Sequence, residues 1–250
     1  MEVAKSNRKR KLILAAIAQL MESDSEDEDE MITILSKSKK RDNGVGPTAK
    51  PPQTQLLIAL SMLCNQQVYR LISEKFNVST STAWLYVQKV CTILTDQSSN
   101  YIVWPTRQKA HQVMLQFSKR AGFPGVLGAV DGTHIPITAL SQDQGSYCNR
   151  HHYHSIILQG VCDANYMSTD VFAGYPGSVH DARVWHNSPL GKRIRETPFE
   201  LFPDTNTHIL EDSAYKCTNY LLTPYKDNGH LTRKQRNFNY KLSSTRVFIE

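Results

Sequence analysis

Two aspartates each close an apolar, strand-like run. Asp131 follows VLGAV (126–130) and Asp212 follows THILE (207–211). An aspartate after a strand is commonly a turn or cap residue. If the two strands are neighbours, however, both carboxylates meet at one sheet edge. Carboxylates that close repel one another unless a cation sits between them. Mg2+ and Mn2+ suit such a site, because they prefer oxygen ligands and keep part of their water shell. Two such ions can activate an attacking water and stabilise the leaving oxygen of a phosphodiester. A further acid, Asp181 in SVHDARVW, falls early in a helical stretch. There it either complements the helix N-terminus or reaches the same ions.

Other polar groups are less specific. His134 follows Asp131 by three positions and reads either as a cleft residue or as a hydrogen-bonded strand histidine. His180 sits beside Asp181 and could contact the site or its substrate. His151, His152 and His154 cluster, but without cysteine or acid partners at ligand spacing they do not read as a zinc site. Asn149, Arg150 and His151 are candidates for reaching phosphate, or for forming a plain loop. The five cysteines (Cys64, Cys91, Cys148, Cys162, Cys217) are odd in number and form no C-x-x-C pair, which argues for reduced thiols over disulfides or zinc.

The elements that must hold these groups follow from periodicity. Leu56, Leu57, Leu60 and Leu63 make a helical stripe, and Val68, Leu71, Ile72 and Phe76 make another. Asn77–Thr80 is a turn, with Ser79 placed to cap the next helix. That helix turns Ala83, Val87, Val90 and Cys91 inward. The pair reads as a helix-turn-helix or as an ordinary helical hairpin; few Lys or Arg lie on the second helix. A further helix is predicted over 106–120. Beyond Gly122 the pattern becomes strand-like: 126–137, 153–164 and 167–178, with a tight turn at GYPG (174–177). A short helix over 179–190 and a strand through THILEDSAY follow. Residues 223–241 read as a basic loop, in which Arg233, Lys234 and Arg236 either touch a DNA backbone or are simply solvated. Residues 242–250 read as the start of a helix capped by Ser243 or Ser244. Strands, a helix and a further strand predict an α/β domain with a mixed sheet.

The formal charge is +6, which points weakly to polyanionic partners. Residues 1–50 hold 10 Lys/Arg and 9 Asp/Glu, so the excess lies in the rest of the chain. An acidic run (Glu26–Glu30), a basic run (Lys37–Arg41) and Gly/Pro-rich sequence make the first part a charged, flexible arm. RKRK (8–11) before the apolar run LILAAIAQL imitates a secretory signal, but no small-residue cleavage site follows. A nuclear-import signal at Arg8–Lys11 or Lys37–Arg41 is the preferred reading. No apolar stretch reaches the length of a transmembrane helix. The divisions are 1–53 for the arm, 54–121 for the helical region and 122–250 for the α/β domain.

Four blocks in order, GAVDGTHIPI, YCNRHHYHSIILQGVCDA, GYPGSVHDARVW and LEDSAYKCTNYLLTPY, resemble those of Harbinger-type transposases. The resemblance is nearest in kind to the domesticated, transposase-derived nucleases and runs from about Gln55 to Glu250. It implies an RNase H-like fold with a DDE triad of Asp131, Asp212 and Glu250, the last in STRVFIE. It implies Mg2+ or Mn2+, a DNA substrate, a nuclear location and a Myb-like partner protein. The family's catalytic helix continues past its glutamate. The chain therefore reads as a fragment, a short isoform or a natural truncation, and the alternative to a nuclease is an inactive protein that binds DNA or a partner.

Overall fold

The computed structural model describes Thr33, residues 50–65, 67–139 and 143–247, and Ile249. The arm read over 1–53, with both basic runs, lies almost wholly outside the described residues, and so does Glu250. The chain divides into two compact units, Met1–Tyr101 and Ile102–Glu250.

The first unit contains α1 (Pro52–Asn65), α2 (Tyr69–Phe76) and α3 (Thr80–Tyr101). Ile58, Leu63, Ile72, Val87, Val90 and Leu94 form its core, and Ala83 and Cys91 turn inward as the period predicts. Asn77 ends α2 in the left-handed conformation, and Val78 N–H donates to the Ser73 carbonyl. Ser79 Oγ then accepts from Thr82 N–H at 3.0 Å, which caps α3. The stripe of α2 is narrower than its sequence suggests. Ile72 is buried, while Val68 and Leu71 are 63% and 53% exposed. Among the described residues, no helix is long and apolar enough to cross a membrane.

The second unit opens with α4 (Arg107–Ala121) and is built on a five-stranded sheet. Its strands are β1 (Val126–Pro136), β2 (Ser155–Cys162), β3 (Ser168–Pro176), β4 (His208–Leu210) and β5 (Leu221–Leu222), in spatial order β3-β2-β1-β4-β5. β1, β2 and β3 pair antiparallel; β4 runs parallel to β1, and β5 parallel to β4. A parallel neighbour requires a crossover. Here α6 (Asp181–Asn187), α7 (Pro189–Glu196) and α8 (Pro198–Leu201) supply it. A single-turn helix, α5 (Gln144–Tyr147), lies between β1 and β2, and α9 (Arg233–Arg246) follows β5. This is the mixed α/β, RNase H-like sheet expected. Val126, Leu127, Val130, Val161, Trp185, Ile209 and Leu210 form the core; burying each aliphatic side chain is worth about 1.5–3 kcal/mol.

Four further segments differ from their sequence reading. α4, grouped above with the helical region, inserts Ala110, Val113 and Phe117 into the sheet's core, so it belongs to the second unit. The helix read over 179–190 is two helices. Pro189 has no N–H to continue the first and instead starts the second, where Ser188 Oγ accepts from Gly191 N–H at 3.0 Å. The basic loop ends early, because Thr232 and Gln235 form a capping box that starts α9; Ser243 and Ser244 lie inside that helix. GYPG is not a free turn: Gly174, at φ 125°, lies where the β2–β3 register shifts.

Asp170 on β3 gives a stability prediction. Burial pushes its carboxyl from 3.8 up to about 6, against the pull of Arg193. A folded pKa raised above the unfolded value contributes stability that is full below about pH 4 and lost as pH rises through about 6. The difference amounts to about 3 kcal/mol. Asp170→Asn is therefore expected to gain on the parent in urea unfolding at about pH 7.5 and to match it near pH 4. An advantage of equal size at both pH values would contradict this.

Candidate active site

The parallel pairing of β1 with β4 sets the geometry. Ala129 pairs with Leu210, and each aspartate lies two residues further along its chain. Asp131 and Asp212 therefore come level across adjacent strands, Asp131 within β1 and Asp212 just past the end of β4. Both are half-buried. Asp212 Oδ1 accepts from Ala214 N–H at 2.8 Å, which fixes its side chain in the turn that follows β4. On the other flank, Asp131 pairs across β2 with Gly160, where an added Cβ would meet open space.

Asp181, the first residue of α6, packs against the glycine that follows Asp131. A Cβ on Gly132 would lie 2.6 Å from Asp181 Oδ1 and 2.9 Å from its Cγ. Burial raises the Asp181 carboxyl above its ordinary value; His134 opposes the rise, while the charges of Asp131 and Asp212 add to it. The three aspartates thus share one electrostatic neighbourhood. They do not converge as a preformed ligand set: among the described residues no three His, Cys, Asp or Glu side chains stand together to hold a metal ion. Cys64 and Cys217 are exposed, and no two of the five cysteines are joined in a disulfide.

Two charged residues here escape a sequence reading. Arg246, at the end of α9, reaches Asp131 Oδ1 with Nη2 at 3.7 Å, its side chain 9% exposed. Glu211 is fully buried beside Asp212, and among the described residues neither of its carboxyl oxygens has a hydrogen-bond partner. Burial raises its carboxyl well above the ordinary range, the Asp212 charge adds to this, and Arg246 opposes it. Burial of this kind favours the neutral form of a carboxyl. Nothing marks Glu211 in the sequence beyond its adjacency to Asp212. The only trace of Arg246 is its place four residues before Glu250.

His134 resolves in favour of a hydrogen-bonded strand histidine. Its Nδ1 lies 3.0 Å from Ser155 Oγ, to which Asn149 Nδ2 also donates at 3.0 Å. Burial lowers the His134 pKa, and Asp181 opposes that shift. His180 is the exposed N-cap residue of α6. Arg233, Lys234 and Arg236 are exposed in the first turn of α9.

Residues 130–250 match the family described as DDE superfamily endonuclease. The chain is similar to HARBI1 of Rattus norvegicus, a protein whose name calls it a candidate nuclease, with 29% identity over 86% of this chain and 59% of that protein. HARBI1 of Homo sapiens is 27% identical over the same shares. Protein ALP1-like of Arabidopsis thaliana is 28% identical over 69% of this chain and 44% of its own length. The chain thus spans less than two thirds of these relatives. No solved structure matches it.

Proposed function

Because this chain belongs to the Harbinger-type family of transposase-derived proteins and carries a DDE superfamily endonuclease domain over residues 130–250, we propose that it is a divalent-metal-dependent endonuclease that cleaves DNA phosphodiesters. The observation that carries this reading is the β1–β4 pairing that brings Asp131 and Asp212 level. Glu250 is the third acid. The family resemblance gives it that role, and in the sequence it follows Arg246, which faces Asp131, by four residues. Asp181 is a fourth oxygen donor, or the support for the other three. The donor chemistry fits Mg2+ or Mn2+: the groups are all hard carboxylate oxygens, and a cation would offset the like charges of Asp131 and Asp212 that add to the burial-driven rise at Asp181. Bound there, the ion would supply positive charge and a more acidic water. The protein's own part is to hold the acids level and to balance Asp131 with Arg246. The basic runs at Arg8–Lys11 and Lys37–Arg41 support a nuclear location, and the Harbinger resemblance supports a Myb-like partner.

A second reading, DNA or partner binding without catalysis, is favoured by one observation. The Arg246 guanidinium already lies 3.7 Å from Asp131 Oδ1 and supplies a positive charge there. Thermal melting in Mn2+ separates the two. At ten times Kd, a bound ion adds about 1.4 kcal/mol of stability. The nuclease reading expects the midpoint to rise by several degrees in the parent and not in Asp212→Asn. An equal rise in both, or none in either, would favour the second reading.

A further inference from the structure

The segment CNRHHYH (148–154) is not used by the acids, yet it is built as a rigid tip beside them. Cys148 and His154 form an antiparallel bridge that closes its base. Asn149 is buried and organises the turn. Its N–H donates to the Tyr153 carbonyl, its own carbonyl accepts from His152 N–H, and its Oδ1 accepts from His151 N–H at 2.9 Å and Tyr153 N–H at 3.3 Å. His152 takes the left-handed conformation at φ 61° to complete the turn. The outcome is that one buried asparagine presents four exposed side chains: Arg150, His151, His152 and Tyr153. The His151 and Tyr153 rings lie nearly parallel, at 18° and 6.4 Å between centroids. Arg150 Nε donates to His151 Nε2 at 3.3 Å, which holds the cation beside the rings.

The tip is also tied to the site. Asn149 and His134 share the fully buried Ser155 hydroxyl. His134 lies two residues beyond Gly132 on β1, the glycine against which Asp181 packs. The Arg150 charge is near enough to act on both Asp181 and His134. A cation with exposed, preorganised rings next to clustered acids matches one class of ligand. The cation takes a backbone phosphate, and the rings take the face of a base that is not stacked in a duplex. A paired duplex keeps its base faces covered and offers the rings nothing.

We propose that residues 150–153 form a contact for unpaired nucleotides next to the acid cluster, with Arg150 on a phosphate and the His151–Tyr153 pair stacked on a base. The identification of the ligand as a DNA strand rests on the endonuclease reading. The contact itself is measured without cleavage, so the two can fail separately. The experiment is fluorescence anisotropy in EDTA with a labelled single-stranded oligonucleotide of about 20 residues and with the same sequence as a duplex. The His151→Ala/Tyr153→Ala double variant is expected to lose single-strand affinity by about tenfold or more, with duplex affinity within about twofold. Tyr153→Phe, which keeps the ring, is expected to bind like the parent. Arg150→Ala is expected to weaken both probes and to reduce the salt slope by about one. The proposal is overturned if the double variant binds the single strand like the parent, if it loses both probes equally, or if the parent binds no single strand. None of these outcomes bears on Mn2+ binding by Asp131 and Asp212, which tests the endonuclease reading.

Discussion

Asp212→Asn is expected to lower metal-dependent DNA cleavage by about a thousandfold or more, several kcal/mol of barrier at about 1.4 kcal/mol per decade. It is expected to leave the fold intact. Asparagine keeps the Oδ1 that accepts from Ala214 N–H, so the turn after β4 loses no hydrogen bond. It removes one negative charge from a crowded cluster, which relieves both Asp181 and Glu211. Asp131→Asn is expected to cost a similar factor in cleavage, but with a different structural signature, because it leaves the nearly buried Arg246 guanidinium without the carboxylate it faces. Cleavage by either variant at the parent's rate would remove that aspartate from the reaction.

The second large effect comes from a residue with no side chain. An alanine at position 132 would place its Cβ within 2.6 Å of Asp181 Oδ1. The atom it meets is the tip of a flexible side chain, so the carboxylate swings aside and stability changes little. Cleavage is nevertheless expected to fall by about a hundredfold, the usual cost of displacing a positioned group by an ångström. The control is a double-mutant cycle. If the loss runs through Asp181, then Gly132→Ala costs little more in an Asp181→Ala background. Full additivity of the two losses would show that Gly132 acts by another route, and full cleavage by Asp181→Ala alone would show that Asp181 is only the electrostatic complement of α6.

How much of this was legible in the sequence depends on what buries each segment. Asp131 and Asp212 stood out because each follows a run of apolar residues that the sheet buries on both faces. The pairing of those runs was a condition the sequence could state but not decide, since β4 is only three residues long. Ser79 was legible because capping is local chemistry within three residues. α9 was not, because among its 14 residues the buried positions are Leu242, Thr245 and Arg246. A helix that turns a threonine and an arginine inward has no apolar stripe to read. Its Thr232–Gln235 capping box was the available signal, and Pro189 was the one for the break between α6 and α7. Glu211 and Arg246 owe their importance to burial and to a neighbour 115 residues away in the chain, neither of which periodicity reports. The same holds for Ser155, whose hydroxyl joins His134 to Asn149 only once β1 and β2 are paired.

The most direct test of the central claim is conversion of supercoiled plasmid to nicked or linear DNA by the purified protein, in Mn2+ and in EDTA, with the Asp131→Asn/Asp212→Asn double variant alongside. The account predicts cleavage by the parent in Mn2+, none in EDTA and none by the double variant in either. Cleavage that persists in EDTA or in the double variant would contradict it, as would an inert parent in Mn2+ that still binds DNA.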